Sequence, residues 1–261
     1  MKSDIITSRD NPKVKHVVKL TSSAHRRAEE GRFVCEGLRL CRDAALNSVV
    51  LSEVYYTGEF KSAHDEDFGK IISAGREAFE VSNDVMKKMS DTVNPQGVLA
   101  ICECPVFDIT KAEKGFYVGL ENIANPSNLG AIARSAEAFG AAGLILGGKC
   151  CDPYSPKSLR AGMGALLRIP IYTCDNFREG ISHFRSLGAT VYASVVDSDA
   201  KSVTEVEKSE SSVLIIGNEA NGIESGTAKC ADYRITIPMR GRAESLNAAA
   251  AAAVLIWEFC K

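Results

Sequence analysis

The sequence predicts an α/β protein of two domains, the second built on a mostly parallel sheet. From Phe116 onward, the short apolar runs FYVGLE, GLILGG, TVYASVV, VLIIGN and YRITIP alternate with polar turns and helix-length segments. Strands that alternate with helices in this way pair in parallel and are covered on both faces by the crossovers. A weaker alternation of the same kind fills the first hundred residues, which predicts a smaller α/β domain there. The length of 261 residues, with 45% hydrophobic and 25% charged content, suits a globular chain of about two domains.

Taken in order, Asn11 to Leu20 (NPKVKHVVKL) sets Val14, Val17 and Val18 at helical spacing between lysines. A second helix is predicted over Glu36 to Leu46. The run VVLSEVYYT, Val49 to Thr57, is β-branched and aromatic and reads as a strand. Helices over Asp65 to Ala74 and Asp84 to Met89 follow, then a strand over Gly97 to Cys104. The polar stretch DITKAEKG after Pro105 reads as a linker, so the predicted domains are 1–107 and 115–261, with 108–114 between them. In the second domain, helices are predicted over Asn128 to Phe139, Asn176 to Leu187 and Ser245 to Phe259, the last with Ser245 as its N-cap. No internal repeat is present.

The formal net charge of −2 excludes a global basic field. Charge is uneven, however. Up to Arg42 the chain carries an excess of Lys and Arg over Asp and Glu, and Arg9, Lys13, Lys15, Arg26, Arg27, Arg32 and Arg39 are candidates for phosphate contacts. A solvated helical face explains the same charges. The opening MKSDIITSRDNPK has no apolar signal core, so a cytoplasmic rather than secreted protein is expected. No apolar run approaches the ~20 residues of a membrane span. The nine cysteines contain no CxxC pair, so free thiols and no metal site are expected. No GxGxxG follows a strand and no GxxxxGK[ST] occurs, which disfavours dinucleotide and P-loop chemistry.

Three segments of the second domain combine strand ends with polar turns. In ENIANPSNLGAIARSAEAFG, Glu121 to Gly140, a strand ends, Pro126 follows, and a helix carries Asn128 and Arg134 six residues apart. In VLIIGNEANGIES, Val213 to Ser225, an apolar strand runs into Gly217, Asn218, Glu219, Asn221 and Gly222, residue types that supply tight turns. In ITIPMRGRAESLNAAAAAAVLIWE a strand ends at Pro238, a basic loop with Arg240 and Arg242 follows, and Ser245 and Asn247 precede an alanine run. Ligands of open α/β sheets bind beyond the carboxyl ends of strands, where all three turns belong. Each segment alone is explained as well by an ordinary helix cap or turn.

Together and in this order, the three segments resemble the TrmH (SpoU) branch of the SPOUT RNA methyltransferases. The motif N-x-x-x-x-x-R within NPSNLGAIAR, then GNEANGI, then IPM followed by SLN and a small-residue helix carry the likeness. SPKSLRAGMGALLRIPI is similar to the stretch between the family's first two motifs, and the N-terminal segment resembles its L30e-like substrate-binding domain. The resemblance implies an S-adenosylmethionine-dependent RNA 2′-O-ribose methyltransferase, a deep trefoil knot in the C-terminal domain, and a homodimer formed through that domain. It implies rRNA, 23S in particular, rather than tRNA as substrate, because the short tRNA-acting members lack an L30e-like domain. Asn125 stands where many relatives carry aspartate, and the helix after SLN is alanine where relatives often show Val-Ser-Val. Neither departure removes a catalytic side chain.

By this resemblance the methyl donor lies against Ile216, Gly217, Asn218, Glu219, Gly222, Ile237, Met239, Ser245 and Leu246. Arg134 matches the family's catalytic arginine, with Asn128, Glu219, Ser245 and Asn247 around it. Two roles stay open for Arg134. One is taking the hydroxyl proton, which an arginine resists because it normally stays charged. The other is stabilising the developing alkoxide and the adjoining phosphate. The competing readings are a tRNA 2′-O-methyltransferase and a non-catalytic RNA-binding or ribosome-assembly factor on the same fold.

Overall fold

A computed structural model describes residues 5–47, 49–197, 199–218 and 220–261. It divides into two units, Met1–Pro105 with Tyr154–Leu167, and Val106–Pro153 with Arg168–Lys261.

The first unit opens with α1 (Pro12–Ser22). Asn11 caps it by accepting from the Lys13 amide at 2.9 Å, Pro12 starts it without needing an amide partner, and Val14, Val17 and Leu20 are buried along one face. Next come α2 (Ala24–Glu30), β1 (Arg32–Glu36), α3 (Leu38–Leu46), β2 (Leu51–Tyr56), α4 (Gly58–Ala63), α5 (Asp65–Ala74), β3 (Gly75–Glu80), α6 (Asn83–Met89) and β4 (Val98–Glu103). The four strands form one mixed sheet in the order β1-β4-β2-β3. β4 lies inside it, antiparallel to both β1 and β2, and is buried along nearly its whole length. Val14, Val17 and Leu20 close over this sheet with Val85, Met86 and Met89 of α6.

The sequence leaves α2, β1, α4 and β3 unassigned. RFVCE, although β-branched and aromatic in part, is only five residues long and bordered by charges. GREAFE is an edge strand with little burial, so neither face shows an apolar alternation. The prediction of α5 over Asp65–Ala74 agrees with the structure at both ends.

The second unit begins with a 3-10 turn at Ile109–Lys111, then β5 (Phe116–Glu121), α7 (Pro126–Ala138) and β6 (Gly143–Gly147). The chain then enters α8 (Pro156–Gly162), within Tyr154–Leu167, which the sequence assigns to the C-terminal domain and which groups with the first unit. Tyr154 stacks on Phe33 of β1 at 4.7 Å, and Arg160 pairs with Asp91 at 2.7 Å. Returning, the chain makes β7 (Ile171–Cys174), α9 (Phe177–Ser186), β8 (Thr190–Ser194), β9 (Lys201–Ser202), β10 (Ser212–Ile216), α10 (Ser225–Ala228), β11 (Tyr233–Thr236) and α11 (Ala248–Cys260).

Its seven strands stand in the order β7-β6-β5-β10-β8-β11-β9, and every neighbouring pair is parallel. β6 and β10 are buried at every position, the pattern of strands covered on both faces. α9 covers one face, where Phe177, Ile181 and Phe184 pack with Tyr117, Ile145, Val191, Val213 and Ile215. Phe259 of α11 reaches Phe116 and Tyr192, whose positions alternate with those residues and therefore face the other side. α7 packs beside α11. The strands after β5 run outward to β7, and the later strands lie on β5's other side, so the order reverses between β5 and β10. Ligands bind at the carboxyl ends beside such a reversal.

Candidate functional site

The cleft that answers this topology lies at the carboxyl ends of β10 and β8. It encloses ≈ 440 Å³, within the range of small-molecule sites. One wall is the turn after β10, Gly217, Asn218 and Ala220 to Ile223; a second is Ser194 to Asp197 after β8; the third is Glu244 to Leu246, which precede α11, with Ala248 and Ala251 of that helix.

The turn after β10 is built from the backbone outward. Asn218 and Gly222 exchange two main-chain hydrogen bonds, at 3.1 and 2.9 Å. The Asn218 carboxamide oxygen accepts from the amides of Ala220 and Asn221, at 2.8 and 3.3 Å. Gly222 has φ +66°, and a Cβ on Gly217 would stand 2.2 Å from the Gly222 carbonyl carbon. The turn therefore needs glycine at 217 for space and at 222 for conformation.

This turn is anchored to the end of β5. Asn122, itself at φ 60°, accepts through its main-chain oxygen from the Asn218 side chain at 2.9 Å. Its own carboxamide accepts from the Lys149 amide at 2.7 Å and donates to Glu224 at 3.1 Å. Glu121 is 2% exposed and accepts from the Glu224 amide at 2.8 Å and the Thr227 hydroxyl at 2.5 Å.

The first and third motifs meet at two asparagines. Asn125 caps α7, accepting from the Ser127 amide at 2.9 Å, which leaves Asn128 inside the first turn and buried. Asn247 donates from its side-chain nitrogen to the Asn128 carboxamide oxygen at 3.2 Å. Its oxygen accepts from the Ala249 amide at 2.9 Å, so Asn247, not Ser245, is the N-cap of α11. The expected N-cap at Ser245 is thus corrected by two residues: asparagine caps as well as serine, and the non-helical backbone of a cap (φ −53°, ψ 142°) falls at Asn247.

Of the predicted donor-contacting residues, Ile216, Gly217, Asn218, Gly222, Ser245 and Leu246 line the cleft. Ile237 and Met239 follow β11, do not line it, and Met239 is 38% exposed. Glu219 lies outside the described residues. Arg134 is exposed on α7, and no hydrogen bond among the described residues joins it to Asn128 or Asn247. The sequence misses Ser194 to Asp197, because their part in the site depends on β8 lying next to β10, a strand order that no local pattern encodes. Asp197 is held by Arg234. Cys150, behind the Asn122 turn, points its thiol at the Leu120 carbonyl at 3.3 Å; burial pushes its pKa up and keeps it protonated. Among the described residues no cluster of His, Cys, Asp and Glu could hold a metal ion.

The N-terminal basic residues are largely occupied. Arg9 faces Asp84 at 3.7 Å, Lys15 pairs with Asp10 at 2.8 Å, and Arg26 with Glu29 and Glu30 at 2.7 and 2.9 Å. Lys13 stands between Glu53 and Glu77, over the Phe79 ring. Arg27 is 6% exposed and donates to the carbonyls of Leu20 and Thr21 at 2.6 and 3.0 Å, so its guanidinium serves the fold. Arg39 is exposed and Arg32 half-buried.

The cleft thus opens at the carboxyl ends of β10 and β8, next to the strand-order reversal, with the Asn128–Asn247 pair beside Leu246 and Ala248 of its lining. The model of the SpoU rRNA methylase family matches residues 115–257, more than half of the chain, and the chain belongs to that family. A second model, the MRM3-like substrate binding domain, matches residues 11–100. Among curated relatives, the 23S rRNA (guanosine(2553)-2'-O)-methyltransferase RlmP of Bacillus subtilis (strain 168) is 29% identical over 252 residues, covering 97% of each chain. The 23S rRNA (uridine(2479)-2'-O)-methyltransferase of Streptomyces viridochromogenes is 28% identical, covering 97% of this chain and 90% of its own. Among solved structures, an AdoMet-bound rRNA methyltransferase from Sinorhizobium meliloti matches with TM-score 0.87 and 32% identity, over 98% of this chain and 97% of that one. The SpoU methyltransferase AviRb from Streptomyces viridochromogenes, in complex with AdoMet, matches with TM-score 0.85 and 26% identity, over 96% and 97%.

Proposed function

We propose that the chain transfers a methyl group from S-adenosylmethionine to a ribose 2′-oxygen of 23S rRNA. The observation that carries this reading is the Asn247–Asn128 hydrogen bond, which joins two of the motifs beside a cleft lined by residues of the second and third. The cleft suits the donor. Its walls mix apolar side chains (Ile216, Ile223, Leu246, Ala248, Ala251) with the tight backbone of Gly217 and Gly222, a lining that receives a purine and its ribose through apolar packing and main-chain groups. When bound, S-adenosylmethionine supplies a methyl group on a sulfonium, a leaving group that needs no further activation. The work of the protein is then to position reactants and to meet the charge on the 2′-oxygen. Asn128 and Asn247 orient polar groups at the cleft's edge. Arg134 is the cation that faces the developing alkoxide and the adjoining phosphate.

The first unit serves as the RNA-binding module in this reading, with the exposed Arg39 among its contacts. The choice of 23S rRNA rests on the names of the full-length relatives. Homodimerisation fits α11, whose residues Ala250, Val254 and Trp257 share one face at helical spacing and are exposed, Val254 by 44% and Trp257 by 54%. The trefoil knot belongs to the same proposal, as does work in the cytoplasm. Among the described residues no helix is long and apolar enough to cross a membrane.

The test is a map of 2′-O-methylation across total RNA from cells with and without the protein. One 23S ribose should lose its methyl group when the protein is absent. A difference confined to tRNA, or none under any growth condition, would overturn the substrate or the activity respectively. Calorimetry with S-adenosylmethionine separates the enzyme from a non-catalytic RNA-binding factor, which would not bind it.

A further inference from the structure

We propose that Glu121 and Thr227 are positioning residues for the methyl-donor cleft: their buried hydrogen bond sets where the Gly217–Ile223 wall stands. The proposal rests on the methyltransferase reading and adds residues that the three motifs do not include. Glu121 is the last residue of β5, held between β6 and β10. Glu121 is 2% exposed and Thr227 1%. One carboxylate oxygen accepts from the Thr227 hydroxyl at 2.5 Å, the other from the Glu224 amide at 2.8 Å. Glu224 and Thr227 flank the start of α10, directly after the cleft wall. The far side of that wall hangs from the neighbouring residue, where the Asn122 carbonyl accepts from Asn218. Two consecutive residues at one strand end therefore grip the turn at both of its ends. A carboxylate is suited to the inner grip because it only accepts, and both groups facing it donate. A wall of turn residues has little rigidity of its own, and its hydrogen bonds to a sheet strand supply it.

Thr227→Val keeps the shape and removes the donor; Thr227→Ser keeps the donor and removes a methyl group. S-adenosylmethionine binding is measured by calorimetry, kcat and the RNA KM by methyl transfer at saturating donor, and exchange of the 217–224 amides by mass spectrometry. Without the bond the wall leaves its binding position part of the time, and a competent fraction cut to about a tenth in Thr227→Val raises the donor Kd about tenfold. In that variant kcat and the RNA KM should stay within about twofold while the 217–224 amides exchange faster, and Thr227→Ser should match the parent. A merely structural role would lower the melting temperature and leave donor Kd and local exchange unchanged. Glu121→Asp, whose shorter arm cannot span both donors, provides the same test should Thr227→Val fail to fold. Unaltered donor binding in Thr227→Val and Glu121→Asp would overturn the proposal, as would equal damage in Thr227→Ser and Thr227→Val. Failure of the parent chain itself to bind S-adenosylmethionine would overturn the methyltransferase reading along with it, and is distinguished by all variants behaving alike.

Discussion

Replacing Gly217 by alanine tests the turn that walls the cleft. The added Cβ would stand 2.2 Å from the Gly222 carbonyl carbon, 2.4 Å from its oxygen and 2.4 Å from the Ile223 nitrogen. All three are backbone atoms, so no side chain can swing aside. Relief requires the Asn218–Gly222 pair of hydrogen bonds to open, at about 1 kcal/mol each, together with about 1–3 kcal/mol of packing strain. The expected cost is about 3–5 kcal/mol, which lowers the melting temperature by roughly 10 °C in a chain of this size. Gly222→Ala is the control. Its Cβ meets nothing within 4 Å, and the only penalty is φ +66°, worth about 1–2 kcal/mol. Thermal unfolding and calorimetry with S-adenosylmethionine measure both effects. Gly217→Ala should lose donor binding, and Gly222→Ala should weaken it less. A Gly217→Ala protein with parental melting temperature and donor affinity, or a ranking in which Gly222→Ala is the more damaged, would refute the steric argument.

Arg134→Ala should abolish methyl transfer while leaving donor affinity within about twofold, since the exposed guanidinium does not line the cleft; full activity in a single-turnover assay would remove it from the mechanism. Arg27→Ala should destabilise the first unit by about 3 kcal/mol, because two carbonyls lose a cationic donor. The same variant should leave the salt dependence of RNA binding unchanged, and a shallower salt slope would return Arg27 to the RNA-contacting set. Val254→Asp puts a charge into the exposed apolar face of α11 and should convert a dimer into a monomer by light scattering; an unchanged mass would exclude that face as the contact.

Much of the second unit was legible because its strands are near-continuous apolar runs: FYVGLE matches β5 at both ends. The four-residue strand IYTC was not, since so short a run carries no periodicity. The candidate site was legible as three turns, but their convergence was not. Asn128 and Asn247 are 119 residues apart, and nothing local pairs them. Family resemblance placed both around Arg134, and the fold pairs them. The basic N-terminal residues show the opposite failure. Their charge was plain in the sequence, whereas the acids that face several of them are remote: Asp84 for Arg9, and Glu53 and Glu77 for Lys13. Charge counts register residues; they do not register partners contributed from elsewhere in the fold.

Asn247 has one side chain and two obligations, its oxygen to the first turn of α11 and its nitrogen to Asn128. Winding the last helix and completing the site are therefore a single event. During synthesis, every element around Asn128 can be in place while the site still lacks its far edge, which arrives only with Asn247 and α11. A polypeptide interrupted before that point has no weakened version of the site, because the residue that would close it has not been made. Competence in the proposed site thus waits on the winding of α11, through the two bonds of a single side chain.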